Sequence, residues 1–341
     1  TPAAQTPAST TPGAGSPQDA QAIAQRVDPG LVDVNTQLTI NGQPAVGAGT
    51  GMVLTPDGEV LTNNHVIEGA TKISVTDVGN GRTYGATVVG YDRSHDVAVL
   101  QMTGASGLQT VTTGNSSTLS VGEGVVAVGN AEGAGGTPSY AGGSITALNQ
   151  TITASDEATG TSEQLTGLIQ TNADIVSGDS GGALVNSNGR VIGMNTAATS
   201  GYQFQSPSSQ GYAIPINAAL SVVRQIESGT SVGTVHVGPT AFLGVEVESA
   251  SANGGGLFGG GGSSANGATI VGLVSGGAAA QAGLVPGDVI TSLDGHPVTS
   301  AESLTNVMVL EKPGKAVSVT YLNTSGQQAT TSVTLASGPP Q

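Results

Sequence analysis

Short apolar runs separated by Gly, Asn and Asp fill the chain from residue 31 to about residue 195. Val, Ile and Leu dominate these runs, and turn-forming residues follow each of them, which is typical of the strands of a β-barrel or β-sandwich. The pattern predicts strands at 31–40, 52–54, 72–75, 86–91, 96–101, 125–128, 144–148, 168–171, 183–185 and 191–195. The fold class is therefore expected to be mostly β.

Helical patterns are confined to a few segments. Residues 19–27 can form about two helical turns before Pro29 ends them, and Asn217 is expected to cap a helix over 218–227. A connection rich in Gly, Thr and Val over 229–240 then separates a first domain, 18–235, from a second domain, 239–338.

Two segments are expected to lack a fixed structure. Residues 1–17 contain no large apolar side chain, so burial cannot offset the entropy lost on ordering, and we interpret them as a disordered tail. The Gly-rich tract over 251–268 is interpreted as a flexible insertion in the second domain.

The candidate chemistry is carried by three short motifs, TNNHV, DVAVL and GDSGG. A serine becomes a strong nucleophile when a neighbouring imidazole takes its proton and a carboxylate orients that imidazole. His65, Asp96 and Ser180 supply these groups in that order along the chain. The three motifs together predict a serine peptidase.

The glycines around the serine suggest how the reaction intermediate would be stabilised. Without a Cβ in the way, backbone N–H groups can converge on a developing oxyanion. The expected oxyanion hole consists of Gly178, Asp179 and Ser180.

The sequence offers two alternatives to this assignment. GDSGG also fits the G-x-S-x-G pattern of α/β-hydrolases, but that fold places its histidine after the serine, where the chain offers only His236 and His296. Asp92 is the alternative triad acid. His95 is expected to be a bystander, because adjacent residues of a strand face opposite sides.

The chain resembles the HtrA family of trypsin-like serine peptidases, and within it the secreted actinobacterial members of the PepA type. The resemblance is carried by residues 47–70, 88–102, 168–198 and 211–216, which include the motifs above. It implies a chymotrypsin-like double β-barrel followed by an α+β PDZ domain. It also implies ATP-independent cleavage of unfolded or signal proteins outside the cytoplasm.

The resemblance further implies substrate-binding residues at Asp174, Ile175, Thr196 and Ala197. In trypsin-like enzymes the residue six before the nucleophile lies at the floor of the primary pocket, and here that residue is Asp174, where HtrA relatives commonly have alanine and prefer aliphatic side chains. A buried carboxylate would favour Arg or Lys in the substrate; alternatively, it turns away and pairs with an internal donor. Asp179, where many relatives have Asn, is expected to be solvated or paired within the protein.

The second domain carries a different signature. The segment AFLGV over 241–245 resembles the carboxylate-binding loop of PDZ domains, PGDVI over 286–290 resembles their turn and strand, and 300–310 would form the groove helix. A peptide C-terminus would pair with the exposed strand edge, its carboxylate held by backbone N–H groups. The expected peptide-binding residues are Phe242, Leu243, Gly244, Val245, Leu304 and Met308, with Val247 in the same aliphatic pocket.

Composition narrows the choice of partners. The formal net charge is −15, from 8 Lys and Arg against 23 Asp and Glu, and such a surface repels phosphate backbones and anionic lipids, so no nucleic-acid partner is expected. The chain has no cysteine, and no His, Asp and Glu cluster has metal-ligand spacing. We therefore expect polypeptide substrates and C-terminal peptides as partners, and no metal or cofactor.

Location and assembly are inferred more indirectly. The resemblance implies a secreted or envelope-associated protein. No stretch approaches the roughly 20 apolar residues of a membrane helix and no signal peptide is present, so we interpret the chain as a mature or trimmed product whose export or anchor segment is absent. Trimers of the family are commonly held by aromatic residues near the N-terminus. This chain has no aromatic residue before Tyr84, so a homotrimer would require aliphatic residues in their place.

A second function, from a different class, stays open at this point. The chain could be a PDZ-led chaperone or binding protein whose protease site is inactive at rest. A burst of acylation by a fluorophosphonate probe would distinguish the enzyme from the binding protein.

Overall fold

The computed structural model describes residues 13–40, 43–156, 161–196, 202–204, 210–249 and 266–340, and these residues form two compact units that divide between Thr230 and Ser231. Helices α1–α5 are Ala20–Val27, Asn64–Ile67, Ile216–Glu227, Ala278–Gln281 and Ala301–Met308. Within the described ranges, no helix is both long and apolar enough to span a membrane.

The first unit is built from antiparallel strands. Strands β1–β13 are Leu31–Ile40, Gln43–Val53, Glu59–Thr62, Lys72–Asp77, Thr83–Asp92, Val97–Met102, Gly124–Gly129, Ser139–Asp156, Thr161–Thr171, Ala183–Asn186, Val191–Thr196, Tyr202–Phe204 and Gly211–Pro215. These strands close into two barrels, one after the other along the chain.

The first barrel has the strand order β5-β4-β1-β2-β3-β6 and closes because β5 also pairs with β6. Hairpin β1–β2 runs in unbroken register from Leu31 opposite Met52 to Ile40 opposite Gln43. The interior is filled by buried aliphatic side chains around Tyr91, which is 0% exposed. Burial of such side chains stabilises the barrel by about 25 cal/mol per Å² of apolar surface.

The second barrel has the order β8-β7-β10-β11-β13-β9 and closes through the β8–β9 pairing, while β12 extends the sheet beyond β8. Its core consists of small and medium aliphatic side chains from β7, β8, β9, β10, β11 and β13. Helix α3 follows the last strand and packs against β5, β6 and β11, so that it contacts both barrels. The expectation of a chymotrypsin-like double barrel is confirmed.

Several details of the first unit differ from the sequence-based expectation. Strand β8 spans Ser139–Asp156, where only 144–148 was predicted. Helix α3 begins at Ile216 after Pro215, so Asn217 is not its cap; the Asn217 side chain instead bonds Ser116 N–H and Asn115.

A further difference concerns the predicted tail, because residues 13–17 are held against the second barrel. Gly13 N–H donates to Gly142 O at 2.8 Å, and Ala14 O accepts from Ser144 Oγ at 2.8 Å. The tail prediction considered only apolar burial, whereas backbone hydrogen bonds hold these residues. Residues 1–12 lie outside the described ranges.

The second unit contains strands β14–β22, which are Val235–Val237, Thr240–Phe242, Val245–Ser249, Ala268–Leu273, Val289–Leu293, His296–Pro297, Ala316–Leu322, Gln328–Thr334 and Ala336–Gly338. The main sheet has the order β16-β17-β18-β20-β21, so that β16 is an edge strand, and β15 pairs separately with β22. Helix α5 packs beside β16 and β17. The expected α+β PDZ architecture is confirmed, while most of the predicted insertion, 251–268, falls outside the described residues.

Candidate active site

His65 and Asp96 come together at the rim of the first barrel. His65 lies on the short helix α2, directly after β3, and Asp96 ends the turn before β6. His65 Nδ1 lies 3.0 Å from Asp96 Oδ1 and 2.9 Å from Oδ2, and the His65 backbone N–H donates to Oδ1 at 3.0 Å. The contact with a carboxylate selects the tautomer that is protonated on Nδ1, and Nε2 of that tautomer is a proton acceptor.

Asp96 is held in an uncommon backbone conformation. Its φ of 51° lies in the left-handed region, which is costly for a residue with a side chain. Asn63 Nδ2 donates to Asp96 O at 2.9 Å, and Asp96 N–H donates to Arg93 O at 3.0 Å, so the surrounding turn fixes this conformation. The carboxylate also accepts from Thr196 Oγ1 at 3.2 Å, a bond that comes from the second barrel.

Ser180 belongs to the second barrel, in the segment between β9 and β10, but its backbone is tied to the first barrel. Thr50 N–H of β2 donates to Ser180 O at 2.8 Å. Val66, the residue after His65, and Ser180 O both lie within 3.3 Å of the position that a Cβ on Gly49 would occupy. The structure therefore brings Ser180 to the same seam between the barrels as His65 and Asp96.

The residues around Ser180 require glycine for steric reasons. Gly181 has a φ of 82°, and a Cβ at this position would lie 2.0 Å from Thr50 O. Gly178 has a φ of 94°, and a Cβ there would lie 2.2 Å from Asn130 O. A substitution at either position would therefore force the loop away from its present course.

Of the three predicted oxyanion-hole residues, Asp179 is used differently. Its N–H donates to Val176 O at 3.0 Å, inside its own loop, so this amide is committed elsewhere and its predicted share in the oxyanion hole is wrong for this conformation. By contrast, Ser177 O accepts from Glu132 N–H at 2.6 Å. The carbonyl and N–H of a trans peptide point in opposite directions, so the Gly178 N–H points away from Glu132.

The Asp179 carboxyl group is buried, at 5% exposure, and pairs with neutral donors. Val176 N–H donates to Oδ2 at 3.0 Å and Ser139 Oγ lies 3.5 Å from Oδ1. Burial raises the pKa of Asp179 to about 7, against the lowering effect of these donors, and the negative charge of Asp174 adds to the increase. The expectation that this residue pairs within the protein agrees with these bonds.

The predicted substrate-binding residues fall into different environments. Asp174 is exposed, Ile175 is half-buried beside Gly211, and Ala197 lies outside the described residues. The Thr196 side chain is buried and its hydroxyl donates to Asp96, a contact that the sequence does not predict; the part of Thr196 in substrate binding stays a prediction. A threonine near the end of a strand carries no signal of such a contact in sequence.

The alternative acid, Asp92, is bonded to a different histidine. Asp92 Oδ2 lies 2.6 Å from His95 Nδ1, and Ser94 Oγ donates to Asp92 Oδ1 at 2.9 Å. The hydrogen bond with Asp92 raises the pKa of His95, whose side chain is 56% exposed. The two neighbouring pairs therefore keep separate partners.

The second unit has an apolar groove between edge strand β16 and helix α5. Gly244, with a φ of 80°, turns the chain into β16, and Val274 N–H donates to Gly244 O at 3.0 Å. The groove has a cavity volume of about 70 Å³ and is lined by Phe242, Leu243, Gly244, Val245, Val247, Leu304, Thr305 and Met308. The structure thus brings together all seven residues predicted from the sequence, and it adds Thr305.

The sequence matches two domain families, the trypsin-like peptidase domain over residues 49–194 and the PDZ domain over residues 241–335. The chain is 35% identical over 349 residues to the serine protease PepD of Mycobacterium tuberculosis, covering 98% of this chain and 70% of PepD. It is also 35% identical over 296 residues to the periplasmic pH-dependent serine endoprotease DegQ of Escherichia coli, covering 86% of this chain and 60% of DegQ.

Solved structures give the same result. The HtrA-type protease AlgW with a tripeptide is 30% identical, with a TM-score of 0.51 over 94% of this chain and 98% of that one. The barrels, the His65–Asp96 pair and the groove-bearing second unit define the class of a trypsin-like serine protease with a PDZ domain. The chain belongs to the HtrA family of these proteases.

The buried Asp179 carboxyl group should make stability depend on pH. Its pKa is about 7 in the folded protein against an ordinary 3.8, so between these values the folded state holds a proton that the unfolded state has lost. Stability therefore falls as pH rises through this window, by up to about 4 kcal/mol in total. We expect Asp179→Asn to flatten the dependence and to be more stable than wild type at pH 8.

Urea unfolding followed by circular dichroism between pH 4 and pH 8 measures this difference. Asp57→Asn, at an exposed turn, is the matched control and should follow the wild-type curve. Parallel curves for wild type and Asp179→Asn would contradict the role given to this carboxyl group.

Proposed function

We propose that the chain is an ATP-independent serine endopeptidase that cleaves unfolded or signal proteins, with His65, Asp96 and Ser180 as its triad. The observation that carries the proposal is the contact of His65 Nδ1 with both oxygens of Asp96, at 3.0 and 2.9 Å. The hydrogen bond that ties the Ser180 backbone to β2, a strand of the barrel that carries His65, supports it. Membership of the HtrA family supports the reaction type.

In the proposed mechanism, Ser180 Oγ attacks the substrate carbonyl while His65 takes the serine proton on Nε2. Asp96 keeps the Nδ1–H tautomer and stabilises the imidazolium that forms. The Gly178 and Ser180 backbone N–H groups receive the oxyanion of the tetrahedral intermediate. His65 then gives the proton to the leaving amine, and a water repeats the sequence to release the acyl group.

The PDZ unit is proposed to bind the C-terminus of a polypeptide. Strand β16 offers an unpaired edge within its sheet, and the adjacent groove is lined by aliphatic side chains. An extended peptide would pair with this edge and place an apolar last side chain between Leu304 and Met308, with its carboxylate near Gly244.

We also propose an extracytoplasmic location, because DegQ and two further similar proteins, from Haemophilus influenzae and Halomonas elongata, are named periplasmic proteases. The chain spans between 55% and 60% of these three relatives. The homotrimer stays a prediction from the family resemblance.

Removal of the triad residues tests the mechanism. Ser180→Ala should reduce turnover by about 10⁶-fold and Asp96→Asn by about 10⁴-fold, the second because the wrong imidazole tautomer is then favoured. Casein digestion and fluorophosphonate labelling of the full chain measure both. Asp92→Asn is the matched control, because this carboxyl group contacts His95 and not His65. Casein digestion by Ser180→Ala at the wild-type rate would show that the nucleophile is assigned wrongly.

Calorimetry tests the PDZ groove with two peptides that differ only in a free or amidated C-terminal Val. We expect the amide to bind the full chain at least about tenfold more weakly, because it cannot supply the carboxylate. Val245→Asp should weaken binding of the free acid by charge repulsion. Val271→Asp, at an exposed position of β17 outside the groove, should not. Equal affinity for acid and amide would contradict the PDZ assignment.

The contribution of Asp174 to specificity can be measured directly. Its side chain is exposed, so its carboxylate is hydrated without a substrate cation, and we expect a preference for aliphatic residues before the scissile bond. The quantity to compare is the ratio of the cleavage rates of two matched peptides, one with Val and one with Arg at that position. This ratio should be the same within about threefold for wild type, Asp174→Ala and the control Asp57→Ala. A selective loss of cleavage after Arg of tenfold or more in Asp174→Ala would contradict this expectation and support a preference for basic residues.

A further inference from the structure

Thr50, on β2 of the first barrel, is 1% exposed and bonds the nucleophile loop through both its backbone and its side chain. Its N–H donates to Ser180 O at 2.8 Å, and its hydroxyl donates to Gly178 O at 2.8 Å. The Thr50 hydroxyl, from the opposite barrel, therefore bonds the peptide group between Gly178 and Asp179, which directly follows the proposed oxyanion donor, the Gly178 N–H.

The same hydroxyl also accepts a hydrogen bond. Asn130 N–H, at the end of β7, donates to Thr50 Oγ1 at 2.8 Å. A hydroxyl has one hydrogen to donate and two lone pairs to accept with, so both bonds form at once. Thr50 thus links Asn130 to Gly178, and a Cβ on Gly178 would meet Asn130 O at 2.2 Å, which shows how closely these groups pack.

The orientation of two consecutive peptide groups depends on these contacts. Glu132 N–H holds Ser177 O, which orients the Gly178 N–H, and the Thr50 hydroxyl holds Gly178 O, which orients the next peptide group. Without the hydroxyl, Gly178 O and Asn130 N–H would both lose this partner while buried. That loss costs free energy and favours rotation of the loop.

We propose that the Thr50 hydroxyl is a positioning residue for the oxyanion hole, which it fixes through Gly178 from the opposite barrel. The inference rests on the proposed function, because it requires Ser180 as the nucleophile. Thr50 itself does not touch the substrate in this proposal. Its contribution should appear in the transition state, where a displaced donor is felt most, and not in substrate binding.

The test compares Thr50→Val, which has nearly the same shape without the hydroxyl, with Thr50→Ser, which keeps it. In the full chain, Thr50→Val should lower kcat by about tenfold to a hundredfold with KM within about twofold, and should weaken a peptide boronate by a similar factor. Thr50→Ser should restore kcat to within about threefold of wild type. Thr36→Val is the matched control, because Thr36 is equally buried on β1 and its hydroxyl has no hydrogen-bond partner among the described residues.

The outcomes separate the two proposals. If Thr50→Val is as active as wild type while Ser180→Ala is inactive, the role of Thr50 is overturned and the proposed function stands; activity retained by Ser180→Ala would contradict the proposed function itself. A rise in KM that accounts for the whole loss, or an equal loss in Thr50→Ser, would also overturn the positioning role. Should Thr50→Val not fold, Thr50→Cys takes its place, with a loss of kcat expected and an unchanged kcat as the contradicting result.

Discussion

The seam between the two barrels is the constraint on which the site depends, because neither barrel contains a complete set of catalytic groups. Hydrogen bonds cross this seam in both directions. Thr196 of the second barrel donates to Asp96 of the first, and Thr50 of the first barrel donates to Ser180 O of the second. Each barrel therefore positions a member of the proposed triad that belongs to the other, and any shift between them would be transmitted to the His65–Ser180 geometry.

The sequence could predict the barrels because alternating apolar residues and turn residues act locally. It could not predict the second half of β8, where polar residues after Leu148 are held by backbone pairing with β9. The three residues of the proposed triad were predictable because each lies in a distinctive motif. The hydroxyls of Thr50, Ser139 and Thr196 were not, because threonine and serine are ordinary in strands and their partners are remote in the chain.

The scarcity of cations explains several unusual carboxyl groups. With 8 Lys and Arg against 23 Asp and Glu, cations cannot pair with most of the acidic side chains. Burial raises the pKa of Asp28 and of Asp33 to about 6, although Gly136 N–H donates to Asp33 at 3.2 Å. Because these folded-state values exceed the ordinary 3.8, both groups, like Asp179, contribute stability at low pH that is lost as pH rises through about 6.

The same scarcity of cations suggests why both proposed anion sites are made of backbone. The oxyanion would meet N–H groups beside Gly178, and the peptide carboxylate would meet N–H groups beside Gly244, with φ values of 94° and 80° respectively. A positive φ lets successive amides turn toward one point. Residues other than glycine adopt this conformation only at a cost in free energy. Backbone donors carry no formal charge, so they bind an anion without requiring a cation in the free protein. Their alignment then depends wholly on neighbouring hydrogen bonds, and for the Gly178 peptide those bonds come from Thr50 and Glu132.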